Sequence, residues 1–207
     1  LILTIVGLLY SQDYSLSFDG LDDYIVVNGG AGLAGRTTGT IEMWVLWDGN
    51  QLVHGGHGYG ATTGRQVNQG FTNNVIMLTG SDPNNSSLRW MPNGIFSKID
   101  GNTPVGSGNW NHIAVTFSPT EQIIYLNGIE EVSVNISSSF NSSTIPLTLG
   151  AWTTTNSNID HGNTFLKGKL DEVRIWSNVL SSNQINDYMN LKPSGEESNL
   201  LSYWNFN

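Results

Sequence analysis

Alternation of apolar and polar residues in short segments most constrains the fold of this chain. In residues 40–47, Met43 and Val45 alternate with Glu42 and Trp44. The same period of two returns at residues 14–18, 24–27, 74–78, 87–90, 112–117, 122–126, 130–136, 146–150 and 169–176. This period indicates strands that bury one face. Many short strands separated by turn residues predict an all-β fold, an antiparallel two-sheet sandwich.

The predicted core lies between the two sheets and takes the inward residues of these strands. Its members are Phe18, Ile25, Val27, Met43, Val45, Ile113, Val115, Phe117, Leu126, Leu149, Val173 and Ile175. At about 25 cal/mol per Å² of buried apolar area, such a core folds without the help of a cofactor.

Turn and capping signals give two hairpins and one helix. The dipeptide Asn127-Gly128 is the strongest short hairpin signal in the chain. Residues 19–23 predict a second hairpin turn between the segments on either side. Ser181 and Gln184 have the spacing of a capping box, which predicts one short helix of about two turns.

Composition excludes several classes of protein. The net charge is −9 and the pI about 4.6, so the phosphates of a nucleic acid would be repelled. Charged residues make up only 12% of the chain, fewer than the exposed faces of a helical bundle require. There is no cysteine, which excludes disulfides, thiolate metal sites and cysteine nucleophiles.

The ends of the chain and its aperiodic stretches complete the organisation. Residues 1–11 are predicted to be the remnant of a signal peptide, because the apolar run Leu1–Leu9 has the length of a signal-peptide core and is too short to span a bilayer. The alternative is a buried first strand. Residues 12–207 are predicted to form a single domain. Its end at residues 203–207, within a predicted strand, is compatible with truncation of a longer exported protein. Gly49–Gly70 and Trp152–Thr164 lack periodicity and are predicted to be long loops, where function often resides.

Six stretches in order resemble the laminin G-like, or concanavalin A-like, jelly-roll domains. They are Tyr14–Val26, Thr40–Val45, Asn109–Phe117, Ile124–Gly128, Gly168–Ser177 with Leu180-Ser181, and Leu201–Phe206. The resemblance implies a two-sheet jelly roll with a concave face. It also implies a module of a secreted or cell-surface protein that binds glycans or proteins, often with a structural calcium ion.

An acidic turn is a candidate for that calcium ion. Asp19, Asp22 and Asp23 crowd one turn, and alternation places Asp171 on the same side of its strand as Val173. If the start of that strand meets the turn, the four carboxylates suit a hard cation that takes six to eight oxygen ligands. The alternative is that these aspartates cap turn N–H groups and that Asp171 pairs with a basic residue.

Aromatic residues are candidates for stacking on a sugar. Trp44 and Trp176 fall in family-like strands and are interpreted as structural, and Trp110 as a loop anchor. The remaining candidates for an exposed ligand face are Trp47, Trp90, Trp152 and Tyr59. The alternative is that the tryptophan rings fill the sandwich core.

Two histidines and one acidic strand are candidates for metal binding and catalysis. His54 and His57 lie in a glycine-rich stretch without a third metal ligand, so His57 is predicted to hydrogen-bond a glycan rather than to bind zinc. The Glu-x-Asp-x-x-Glu strand pattern of the retaining laminarinase-like enzymes of this fold class is absent, since Asp171-Glu172 is followed by Val-Arg.

We therefore expect a noncatalytic recognition module that is exported to the cell surface or secreted. Its expected partner is a glycan or a surface protein, and no membrane insertion is expected after cleavage of the signal peptide. One alternative is a structural or adhesive spacer without a small ligand. A variant glycoside hydrolase is the other, which two carboxylates in one cleft would favour.

Overall fold

The computed structural model describes residues 14–27, 31–33, 35–51, 59–64, 66–67, 72–73, 75–92, 98–135, 147–152 and 164–206. The expected signal-peptide remnant at residues 1–11 lies outside this part of the chain. The elements of the described residues are β1 (Leu16–Asp19), β2 (Ile25–Val27), β3 (Gly39–Trp47), β4 (Tyr59–Gly64), β5 (Gln66–Val67), β6 (Thr72–Asn73), β7 (Val75–Leu78), β8 (Leu88–Met91), β9 (Ile99–Asp100), β10 (Trp110–Phe117), β11 (Gln122–Leu126), β12 (Ile129–Val134), β13 (Leu147–Leu149), β14 (Lys167–Trp176), α1 (Ser182–Asn190) and β15 (Leu200–Trp204).

Two antiparallel sheets form the sandwich, as predicted. The seven-stranded sheet has the order β1-β14-β3-β10-β11-β12, and β15 pairs with the second half of β14. The six-stranded sheet has the order β2-β13-β4-β7-β8-β9, and β5 and β6 form a separate ribbon. Because consecutive strands often lie in different sheets, the chain crosses repeatedly between the layers, as in a jelly roll.

The core lies between the two sheets and contains all twelve residues predicted for it. Ten of them are buried, while Ile25 and Val27 are partly buried and pack against the cluster at its edge. The period-two pattern alone therefore identified the inward face of these strands.

One of the two predicted hairpins is present. Asn127 and Gly128 connect β11 to β12 with φ values of +51° and +78°, the left-handed conformation that a tight hairpin turn requires. The other prediction is wrong, because β1 pairs with β14 and β2 pairs with β13 in the opposite sheet. The turn at residues 19–23 thus crosses the edge of the sandwich.

The first predicted loop is partly strand. Tyr59–Gly64 pairs with β7 and β13 in the six-stranded sheet, and Gln66–Val67 pairs with β6. Backbone pairing does not need alternating side chains, so the glycine-rich sequence forms these strands without a period-two pattern. In the second predicted loop, residues 153–163 lie outside the described residues.

A β-bulge in β14 shapes the face of the seven-stranded sheet that points away from the core. Asp171 and Arg174 pair with β3 residues only two positions apart, so Glu172 and Val173 share one place in the ladder. Leu170 and Val173 are both fully buried in the core. The extra residue breaks the alternation between Asp171 and Val173, and the prediction that they share a side is wrong.

Helix α1 covers part of the same outer face. Ser181 and Gln184 form the predicted capping box. The buried Ile185 packs with Leu180 and Trp176 in a second apolar cluster on this side of the sheet. Among the described residues, no helix has the length and apolar character needed to cross a bilayer.

Candidate functional site

The three tryptophans predicted for an exposed ligand face are buried. Trp47 and Trp90 lie in the main core at 0% exposure, and Nε1 of Trp90 donates a hydrogen bond to Oε1 of Gln122 at 3.1 Å. Trp152, at 1% exposure, packs in a small cluster with two methionines of β7 and β8. The prediction that these rings are exposed is therefore wrong, since they fill the sandwich instead.

Two other residues predicted to contact ligand stay predictions. Tyr59 begins β4, where its backbone pairs with Leu78. His57 lies outside the described residues.

A pocket of about 490 Å³ lies where the C-terminal end of α1 meets the outer face of the seven-stranded sheet. Its volume is within the ~300–1,000 Å³ range of small-molecule sites. We call it the α1 pocket. It is lined by Tyr14, Ser15, Trp44, Trp110, Lys169, Asp171, Glu172, Arg174, Met189, Asn190, Leu191 and Lys192.

Strand register brings aromatic and charged side chains together in this pocket. Trp44 of β3 pairs directly with Asp171 of β14, while Leu46 of β3 pairs with Lys169 on one side and Trp110 on the other. Directly opposed residues of an antiparallel pair project on the same face. Two rows of outer-face side chains thus converge below the end of α1.

Three aromatic rings of the pocket are open to solvent. Tyr14 is 58% exposed and Trp110 is 39% exposed, and Trp44 is half-buried. Leu191, at 63% exposed, adds an aliphatic wall from the end of α1. Large exposed apolar side chains gathered around one concavity mark a binding surface more than scattered ones do.

A buried charge network supports the floor of the pocket. Nη1 of Arg174 contacts Oε1 of Glu42 at 3.5 Å, and its Nη2 contacts Oε2 of Glu172 at 2.5 Å. Nε1 of Trp176 also donates to Oε1 of Glu42 at 3.0 Å. These charges are almost fully removed from solvent, so each depends on its partners.

Glu172 is the member of this network that lines the pocket. Its φ of +52° lies in the left-handed region, which is uncommon for a residue with a side chain and is often found at functional sites. The hydroxyl of Tyr203 donates to its Oε2 at 2.7 Å. Burial, together with this hydrogen bond to Glu172, raises the pKa of Tyr203 above its ordinary value, so the phenol remains a donor.

His112 lies behind the pocket. It is fully buried, and its ring meets that of Trp44 edge-on, with 5.4 Å between centroids. Its Nε2 lies 3.4 Å from Oε2 of Glu42. Neither ring nitrogen has a hydrogen-bond partner within the described part of the chain.

Sequence reasoning missed Trp44, Trp110 and Tyr14 as pocket residues. The signal was present for Trp44, because the alternation that sends Met43 and Val45 inward also sends Trp44 outward. By the same period Trp47 is inward. The inward period of Ile113 and Val115 likewise places Trp110 outward. That Trp110 and Tyr14 lie in one pocket with Trp44 depends on which strands are neighbours.

Asp171 does not lie beside the three aspartates of the acidic turn. Carboxylate oxygens of Asp19, Asp22 and Asp23 lie within 4.8 Å of one another at an exposed turn. Asp19 pairs with Lys167 at the start of β14, so the strand does meet the turn as expected, but Asp171 lies four residues further along. Asp171 instead lines the α1 pocket, and the predicted four-carboxylate group is not formed.

The turn also contains the capping bonds of the alternative interpretation. Oδ2 of Asp23 accepts from the backbone N–H of Asp19 at 2.9 Å, and Oδ1 of Asp19 accepts from that of Leu21 at 2.7 Å. Both carboxylates keep lone pairs beyond these bonds. The three aspartates, with backbone carbonyls, are therefore suitable ligands for a calcium ion.

The α1 pocket combines flat rings with hydrogen-bonding groups of both kinds. Asp171 and Glu172 offer acceptors, Lys169 and Lys192 offer donors, and Asn190 offers both. This combination suits a polyhydroxylated ligand with an apolar face.

Solved structures of carbohydrate-recognising domains are similar to this chain. A candidate carbohydrate-binding protein from Bacteroides ovatus matches with a TM-score of 0.67 and 17% identity, over 92% of this chain and 52% of the other. Domain 4 of the extracellular arabinanase AbnA from Geobacillus stearothermophilus, in complex with arabinotriose, matches with a TM-score of 0.62 and 21% identity, over 84% and 75%. The sialidase domain CBM40 from Ruminococcus gnavus, bound to α2,3-sialyllactose, matches with a TM-score of 0.56 and 11% identity, over 86% and 98%.

The present chain thus spans about half the length of the Bacteroides protein, and these likenesses establish the fold. No curated protein sequence matches the chain significantly. The model of one protein family matches residues 18–186, which is most of the chain. On this match, the chain belongs to the concanavalin A-like lectin/glucanase superfamily.

Proposed function

We propose that this chain is a noncatalytic carbohydrate-binding module and that the α1 pocket is its ligand site. The observation that carries the proposal is the pairing of Trp44 and Trp110 with polar side chains in one cavity. A pyranose ring presents C–H groups on its faces and hydroxyls at its rim. Aromatic faces and hydrogen-bonding groups side by side match that distribution.

The proposal of a noncatalytic role follows from the arrangement of the carboxylates. Asp171 and Glu172 both line the pocket, which is the feature expected to favour a glycosidase. They are adjacent residues, however, and lack the Glu-x-Asp-x-x-Glu spacing that places two carboxyl groups at the scissile bond in the retaining enzymes of this fold class. Oε2 of Glu172 is also held by Arg174 and Tyr203, which favours a fixed acceptor over a proton carrier.

Export is part of the same proposal. The apolar residues 1–11 have the length of a signal-peptide core. The arabinanase to which one similar domain belongs is described as extracellular.

We also propose that Asp19, Asp22 and Asp23 bind a structural calcium ion. Their carboxylates would supply charge to the ion, and carbonyls of the turn would complete its oxygen shell. The role of the ion would be to hold the crossing between β1 and β2 rigid, at a distance from the α1 pocket along β14.

A glycan array probed with residues 12–207, with and without calcium, tests the proposed function. We expect binding to a defined subset of glycans. Incubation of the bound glycans with the protein should release no reducing ends. Absence of binding across the array would refute the function, and release of reducing ends would refute the noncatalytic role.

A further inference from the structure

We propose that the α1 pocket takes an uncharged sugar and that one of its hydroxyl groups donates a hydrogen bond to Oε1 of Glu172. This inference rests on the proposed function and specifies the ligand of that site. The two oxygens of the buried Glu172 carboxylate differ in their hydrogen-bond partners.

Oε2 of Glu172 accepts two hydrogen bonds, from Nη2 of Arg174 at 2.5 Å and from the hydroxyl of Tyr203 at 2.7 Å. Oε1 is buried and has no hydrogen-bond partner among the described residues. The nearest approach recorded for it is Nζ of Lys192 at 3.5 Å, beyond normal hydrogen-bond length. A buried carboxylate oxygen requires a donor.

The backbone directs this oxygen toward the pocket. The bulge in β14 places Glu172 on the outer face beside Asp171, although a regular strand would alternate them. The left-handed φ of Glu172 is unfavourable for a residue with a side chain. Arg174 and Tyr203 hold Oε2, while Oε1 is approached by Nζ of Lys192 at the cavity that Glu172 lines. The Lys192 side chain is half-exposed and flexible, so it can move aside for a ligand hydroxyl.

The charges around the pocket indicate that the donor is uncharged. Among the described residues, the lining carries the cations Lys169, Arg174 and Lys192 and the anions Asp171 and Glu172. Glu42 contributes a third carboxylate, which is buried behind Arg174. Three positive and three negative charges balance, so the pocket presents no net charge that would attract a charged ligand.

The two kinds of charged sugar are disfavoured in different ways. The carboxylate of a sialic or uronic acid would approach Glu172 and Asp171, and like charges at close range repel. The ammonium of an amino sugar would face Lys169, Lys192 and Arg174. A hydroxyl donates to Oε1 without adding charge and can accept from Lys192.

An array that carries each neutral glycan beside its uronic- or sialic-acid counterpart tests the inference. We expect the neutral member of each recognised pair to bind at least tenfold more tightly. Its Kd should change less than twofold between 50 and 500 mM NaCl, because neutral recognition has little salt dependence. Preference for acidic glycans, or affinity that falls steeply with salt, overturns the inference and leaves the proposed function intact. Absence of binding to every glycan on the array refutes both the inference and the proposed function.

The variant Glu172→Gln tests the named atom. It keeps the shape of the side chain but weakens the acceptor, and we expect at least a tenfold rise in Kd for the neutral glycan that the array identifies. Glu130→Gln, an exposed carboxylate of β12, is the matched control. Wild-type affinity in a folded Glu172→Gln variant overturns the assignment. If this variant does not fold, the salt and charge comparisons on the wild-type chain decide.

Discussion

The variant Trp110→Ala tests whether the α1 pocket, rather than another part of the surface, is the ligand site. Trp110 begins β10 and pairs with Leu46 of β3, so its ring lies at the outer rim of the pocket. The substitution removes the ring and leaves the buried charge network of Arg174 in place.

The expected loss of affinity follows from the exposed area. A tryptophan presents about 250 Å², and at 39% exposure about 100 Å² of Trp110 faces solvent. A sugar stacked on one face covers about half of that area. At about 25 cal/mol per Å², the loss is about 1.3 kcal/mol, or a roughly tenfold rise in Kd.

Isothermal titration calorimetry with the glycan identified on the array measures this change. Tyr24→Ala is the matched control, because Tyr24 is 42% exposed and does not line the pocket. Both substitutions also remove buried contacts, so near-ultraviolet circular dichroism must first establish that each variant is folded. An unchanged Kd for folded Trp110→Ala, or an equal rise for both variants, refutes the placement of the site.

Three further predictions concern stability. Arg174→Met leaves two buried carboxylates without their shared cation, and urea unfolding should show a loss of about 3–5 kcal/mol. The exposed control Lys98→Met should cost less than about 0.5 kcal/mol, and equal losses contradict the network. The pKa of Tyr203 is raised above its ordinary value of 10.0, so the unfolded chain loses this proton at a lower pH than the folded chain. The free energy of unfolding should therefore fall as pH rises above 10, and it should fall less steeply in Tyr203→Phe. An equal slope in the two proteins contradicts the raised pKa. EDTA should lower the melting temperature by several degrees in the wild type but not in Asp22→Asn, and an unchanged wild-type curve rejects the calcium site.

The fold was accessible from the sequence because period-two patterning is a local property. Met43 and Val45 face the core whatever lies beside β3, since successive side chains of a strand point in opposite directions. The Asn127-Gly128 turn and the capping box at Ser181 were predictable for the same reason, because each requires only a few consecutive residues.

The binding residues were predicted less well, because family resemblance and loop character do not show which way a tryptophan side chain points. Trp47 and Trp90 were chosen as exposed, yet both share the inward period of their strands. Trp44 was set aside as structural, although the same period turns it outward. Stricter use of alternation would have corrected these assignments without a structure.

Strand order and the bulge in β14 could not be predicted from local sequence, because they depend on contacts between distant residues. The sequence by itself determined the layers, the inward faces and helix α1, which follow from local periodicity and capping. Only the tertiary structure decided that β1 and β2 lie in different sheets, that Asp171 lies away from the acidic turn, and that Glu172 lines the α1 pocket. The physical reason is that pairing register and bulges minimise the free energy of the whole sandwich, and no short segment encodes its neighbour across the sheet.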